Sequence, residues 1–281
     1  MHYRDIQRFI LAAVASCLVG SPFLATTAVS AQEKAPKAEE TKLPAAQEIF
    51  DRFVKVAGGK EAFAKHTSST TQGEWELAGA NLKGKLTIYQ AEPALLHVKI
   101  NVPGIGEMQQ GFNGKIGWTI NPMQGAMLAS GKELEQAKRD ATFNLLAHMM
   151  KSYKSATTKK VTTFGGEECY QVELVAPSDD VSQAFYSKKT GLFRGMTMKA
   201  ATPLGEIETS STYSDYKEFG GVKIATVQVV SAMGQTQTLT FENITFNDVD
   251  KSTAFALPAK IETLVKAQDA AKEKAADKPG S

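Results

Sequence analysis

The sequence predicts a mainly β, α+β domain: a curved antiparallel sheet, or unclosed β-barrel, with helices covering its concave face. Three observations carry this: runs with an apolar residue at every second position, glycine-containing turn signals between them, and segments where the apolar period becomes helical.

The first helical segment holds Ile49, Phe50, Phe53, Val54 and Val56 at helical spacing and stops at Gly58-Gly59, a C-cap signal. A short second helix is expected over 60–66. From Thr70 the period is two. Trp75 and Leu77 alternate with Glu74 and Glu76, and Leu82, Leu86 and Ile88 with Lys83, Lys85 and Thr87. In the third strand Leu96, Val98, Ile100 and Val102 share one face, leaving His97, Lys99 and Asn101 for water.

Further strands are predicted over 107–112, 115–120, 160–164, 169–175, 182–187, 192–200, 206–213, 222–230 and 235–246. Asn113-Gly114, Gly165-Gly166, Thr190-Gly191 and Gly220-Gly221 mark the turns. Residues 132–151 return to a helical period through Leu134, Ala137, Ala141, Leu145, Leu146 and Met149, dividing the strands into two groups.

The N-terminus reads as an export signal over 1–31. Arg4 and Arg8 precede an apolar run, and Val29-Ser30-Ala31 supplies small residues for cleavage after Ala31. A lipobox reading of Val14-Ala15-Ser16-Cys17, with anchoring through Cys17, competes; an uncleaved membrane anchor is the weaker third reading, because Gly20, Ser21 and Pro22 interrupt the run. The expected organisation is then a flexible linker over 32–43, one domain over 44–261 and a polar, disordered tail over 262–281. Cleavage would leave Cys169 as the one cysteine, so no internal disulfide is expected. The 32 lysines and arginines nearly balance the 30 aspartates and glutamates, and no basic stripe interleaves with aromatics, so no nucleic-acid partner is expected.

No catalytic group emerges. His66, His97 and His148 lie in no nucleophile motif, and His97 and His148 read as solvated or structural. Cys169 reads as a surface-leaning strand residue. Glu167-Glu168 and Asp179-Asp180 are neighbours that diverge on a strand or face water in a turn. No cysteine or histidine pair has metal-ligand spacing, and the glycines from Gly104 to Gly117 lack a Walker-type lysine, so no metal and no cofactor are expected.

The stretch from Pro103 through Gly104, Met108, Phe112, Asn113-Gly114 and Trp118 resembles the LolA-like superfamily, in particular bacterial outer membrane lipoprotein-sorting proteins. Ala57-Gly58-Gly59-Lys60-Glu61-Ala62, Asn121-Pro122-Met123, Lys189-Thr190-Gly191-Leu192, Tyr213-Ser214-Asp215-Tyr216 and Gly220-Gly221-Val222-Lys223 extend the likeness. The resemblance implies an unclosed barrel whose helices lid a hydrophobic cavity, and a periplasmic role holding acyl chains or acylated lipoproteins.

The expected function is a non-enzymatic carrier or sensor for lipid or lipoprotein acyl groups, acting as a monomer. Trp75, Leu86, Ile88, Val98, Ile100, Trp118, Met127 and Met149 are the candidate cavity lining. Met108, Met123, Met127, Met149, Met150, Met196, Met198 and Met233 suit either an adaptable apolar wall or gap-filling in a core. The rival reading is an envelope protein-interaction module with a filled core and a protein partner; a hydrolase with an unrecognised site comes third.

Overall fold

The structure is a computed structural model that describes residues 42–202 and 205–276. The expected signal sequence, with Ala31 and Cys17, lies outside the described residues, as do residues 32–41 of the linker and 277–281 of the tail.

Helices α1 (Ala46–Val56) and α2 (Lys60–Ala64) open the domain, and six strands follow: β1 (Ser68–Leu77), β2 (Leu82–Ala91), β3 (Leu95–Val102), β4 (Gly106–Phe112), β5 (Gly117–Asn121) and β6 (Gly125–Leu128). An insert then holds α3 (Gly131–Asp140), a 3-10 turn (Leu145–His148) and α4 (Met149–Ser152). Seven more strands complete the sheet: β7 (Ser155–Phe164), β8 (Glu167–Val175), β9 (Val181–Ser187), β10 (Phe193–Thr202), β11 (Gly205–Phe219), β12 (Val222–Ala232) and β13 (Gln235–Phe246). Two helices follow, α5 (Lys251–Ala254) and α6 (Ala259–Ala276).

All 13 strands form one sheet in the order β6-β5-β4-β3-β2-β1-β13-β12-β11-β10-β9-β8-β7. Sequence neighbours pair antiparallel everywhere except at β6 and β7, and β1 pairs with β13. The sheet is therefore two meanders joined through β1 and β13, with β6 and β7 as its two edges, and the barrel is unclosed. Two-residue turns join β7 to β8, β11 to β12 and β12 to β13 in the second meander, whereas the turns of the first are longer. At Gly220-Gly221 both φ angles are positive, 55° and 81°, as the tight turn between twisted strands requires.

Register defines the faces. Trp75, Leu86, Val98 and Ile100 occupy the inner face, where they form one buried cluster with Leu77, Leu96, Val102, Met108 and Phe112. A second inner cluster lies at the other end of the sheet. There the apolar stripe of α1, Ile49, Phe50, Phe53 and Val54, packs on Val172, Ala184, Tyr186 and Phe193. Arg52 pins α1 to the β9–β10 turn by donating to the Lys188 and Lys189 carbonyls at 3.1 and 2.9 Å.

Several expectations need correction. The helical period read over 132–151 is realised in separate helical pieces rather than one helix, because the Phe143 amide donates to the Pro93 carbonyl at 3.2 Å, Thr142 bridges Ala94, and Asn144 adopts a left-handed φ of 52°. Strand β6 was not anticipated; four residues are too few to display a period. The expected disordered tail continues α6 from residue 262 to 276, and Ile261, Leu264 and Val265 pack on the outer face of the sheet. His97 is not solvated: it is 4% exposed, with Nδ1 2.8 Å from the Ala254 carbonyl and Nε2 2.9 Å from Gln109 Oε1. Cys169 is fully buried, and burial pushes its thiol up to about 11, with Glu167 adding to the effect.

Candidate functional site

The eight candidate lining residues do not converge. Trp75, Leu86, Val98 and Ile100 are each at most 2% exposed in the first cluster, and half-buried Ile88 packs on it. Trp75 is also satisfied as a polar group, since its Nε1 donates to Gln237 Oε1 at 2.8 Å. Met149 belongs to the second cluster, beneath α1. Trp118 is on the wrong face. It pairs with Gly111, which pairs with His97, so its ring lies outside the sheet against His97 and under Ile261 of α6.

What covers the open side is α3. Its Leu134 and Ala137 pack on the inner face at β5, where a Cβ on Gly117 would meet them at 3.3 Å, and the helix also touches β4 and β10. One short amphipathic helix thus touches both halves of the sheet. Its N-terminal end is held by an ion-pair clasp: Lys132 Nζ lies 2.9 Å from Asp180 Oδ1, before β9, and 2.7 Å from Glu206 Oε1, in β11. The hydrogen bonds to these two carboxylates raise the Lys132 ammonium. Burial alone would raise Asp180, but the Ser178 hydroxyl and Lys132 hold it below the usual aspartate value.

The interior also carries polar groups, from Tyr153 beside α3 to Tyr186 beneath α1. Burial raises the phenols of Tyr153, Tyr186 and Tyr213, keeping them neutral. Burial also raises Asp140, against the opposing pull of Arg139 and a hydrogen bond from Gln136. The buried hydroxyls of Tyr186, Thr209 and Ser211 have no hydrogen-bond partner among the described residues.

Two open depressions flank the cover. One, of about 810 Å³, is bordered by Met127, Leu128, Lys132, Glu206 and Leu264. The other, of about 840 Å³, lies at the far end of α3, against the β2–β3 turn. Both volumes fall within the range of small-molecule sites, roughly 300–1,000 Å³. Of the candidate lining residues, Met127 alone borders either depression.

Sequence reasoning missed Lys132, Asp180 and Glu206. Nothing in their local pattern distinguishes them from ordinary surface charges, because the clasp joins residues 48 and 74 positions apart. Among the described residues no group of three or more His, Cys, Asp or Glu could hold a metal ion, and no helix is long and apolar enough to cross a membrane.

No protein-family profile and no curated protein matches this sequence. Solved structures do match. A LolA superfamily protein from Nitrosomonas europaea is similar at 13% identity with a TM-score of 0.53, over 76% of this chain and 99% of that one. A DUF1329 family protein from Desulfovibrio piger is similar at 11% identity with a TM-score of 0.52, over 75% of this chain and 96% of that one. At such identities the likeness shows the fold, and the fold is LolA-like.

Proposed function

We propose that this chain is a binding protein for apolar, acyl-type ligands, serving as a carrier or sensor of lipid or lipoprotein acyl groups in the bacterial envelope. The observation that supports this reading is the cover. Backbone pairing closes the rest of the sheet, but side-chain packing from α3 and the exposed Lys132 clasp span the open side. Such contacts are individually weak, so the cover can lift from the apolar inner face while the ladders stay intact. The inner cluster of Trp75, Leu86, Val98 and Ile100 is the surface an acyl chain would meet.

The export signal read in the sequence supports the envelope assignment, and an intact mass beginning at Gln32 would test it. The LolA-like fold is consistent with a non-enzymatic role.

A second reading has its own support. The candidate lining is packed against itself, with Trp75 hydrogen-bonded to Gln237, as expected of a protein-interaction module whose interior is filled. Native mass spectrometry of protein purified from its own envelope, followed by organic extraction, separates the two. A stoichiometric lipid supports the binding protein; a lipid-free chain that retains a protein partner favours the module.

A further inference from the structure

The second depression has a charge pattern that the apolar reading does not use. Lys138 and Arg139 from α3, Lys151 from α4 and Lys251 from α5 converge on it, against two carboxylates, Glu92 and Glu135. The whole chain carries a formal net charge of only +2, so this concentration is local. Among the described residues Lys138, Lys151 and Lys251 are in no ion pair, whereas Arg139 lies over the Tyr153 ring, 5.7 Å from its centroid, and is partly offset by the buried Asp140. Arg139 Nε is buried without a hydrogen-bond partner. Lys251 reaches only the Glu92 carbonyl, at 3.3 Å. Cations gathered in a concave site repel one another and focus a positive potential, which an anion relieves.

The same depression borders the apolar interior. Its wall includes Phe143, 3% exposed, and Ala94, which packs against the first inner cluster. A ligand with its charge among the four cations would have its apolar part at the edge of the inner face, beside the cover.

We propose that this depression binds the phosphate group of an anionic amphiphile, whose chain enters beneath α3. The inference rests on the apolar-ligand reading and specifies the head group. Lysine and arginine suit a phosphate because they offer several charge-assisted donors. Free phosphate presents the same chemistry, so the test includes it.

The experiment measures binding by the full mature chain of 1-palmitoyl lysophosphatidate, of 1-palmitoylglycerol with the same tail and no charge, and of inorganic phosphate. These are repeated with Lys138→Glu/Lys151→Glu and with the milder Lys138→Gln/Lys151→Gln, each checked by circular dichroism. Both lysines are exposed, so folding should survive. Wild type should prefer lysophosphatidate by about tenfold or more, and charge reversal should remove that preference while leaving 1-palmitoylglycerol affinity unchanged. Inorganic phosphate bound as tightly as lysophosphatidate, and lost in the variants, would support the anion site with the free ion as its source. Equal lysophosphatidate affinity in wild type and both folded variants would overturn the anion site alone if 1-palmitoylglycerol still binds. Binding of none of the probes would overturn the apolar reading as well.

Discussion

The indole of Trp118 lies over the backbone of Gly111, so closely that a methyl group there would come within 2.2 Å of the ring atom Cζ2. The glycine is thus the floor on which the ring rests, with His97 at its edge and Ile261 of α6 in the same cluster. Gly111→Ala should overpack this site and cost about 1–3 kcal/mol in urea unfolding. Trp118→Ala should cost about 3–5 kcal/mol through the cavity it leaves. Because Trp118 faces away from the inner cluster, neither folded variant should change affinity for a fluorescent fatty-acid analogue.

Ile100 and Lys99 are adjacent on β3 and face opposite sides of the sheet. Ile100→Glu puts an unpaired carboxylate on the inner face, at a position 1% exposed, where desolvation is costly. It should abolish binding of the fatty-acid analogue, whereas Lys99→Glu should leave binding intact. Circular dichroism must show the Ile100 variant to be folded, and Ile100→Ala, with a smaller loss of stability, provides a second comparison. Equal probe affinity in folded Ile100→Glu and wild type would favour the filled-core module.

The Lys132 clasp predicts a dependence on salt and acid. Asp180 is held below its ordinary value, so its contribution is present above the usual aspartate pKa of about 3.9 and is lost as pH falls through the lowered one. Probe association should therefore speed up a few-fold at high salt, and again under acid conditions in which the chain is still folded. Lys132→Ala should show the faster rate at neutral pH and low salt, with little change in melting temperature, because the clasp is exposed. A variant that matches wild type in stopped-flow association would show that α3 does not gate access.

Cys169 should resist thiol reagents. Its thiol is buried and pushed up to about 11, so little thiolate exists at pH 8. Modification should follow unfolding, with a rate that rises in step with urea-induced loss of structure; rapid labelling of the native chain would contradict the burial.

Much of the fold is legible in the sequence because alternation and turn residues are local. Leu96, Val98, Ile100 and Val102 announce their shared face, and Gly220-Gly221 announces its turn. The relation between strands is less local. Alternation in β5 shows that Trp118 and Ile120 share a face, but which face depends on the register across Asn113 to Ile116, where Trp118 comes to pair with Gly111. The expectation that the outer face meets water also fails locally. Leu264 and Val265 sit among so many charges that they read as part of a polar tail, yet with Ile261 they pack in one cluster with Trp118. The cover itself is hidden for a different reason: its clasp joins three distant surface charges, which no sequence period connects.

The two terminal helices cross over. α1 precedes the first meander but packs on β8, β9 and β10 of the second, and α6 follows the second meander but packs on β5 and β6 of the first. Each half of the sheet therefore borrows its helical cladding from the opposite end of the chain. Trimming at α1 strips Tyr186 and Phe193 of their cover, and trimming at α6 strips Trp118, so damage at one terminus is felt by strands encoded far from it. A nick within the insert would have the reverse consequence: the severed pieces would remain mutually bound through the β1–β13 ladder and the exchanged helices.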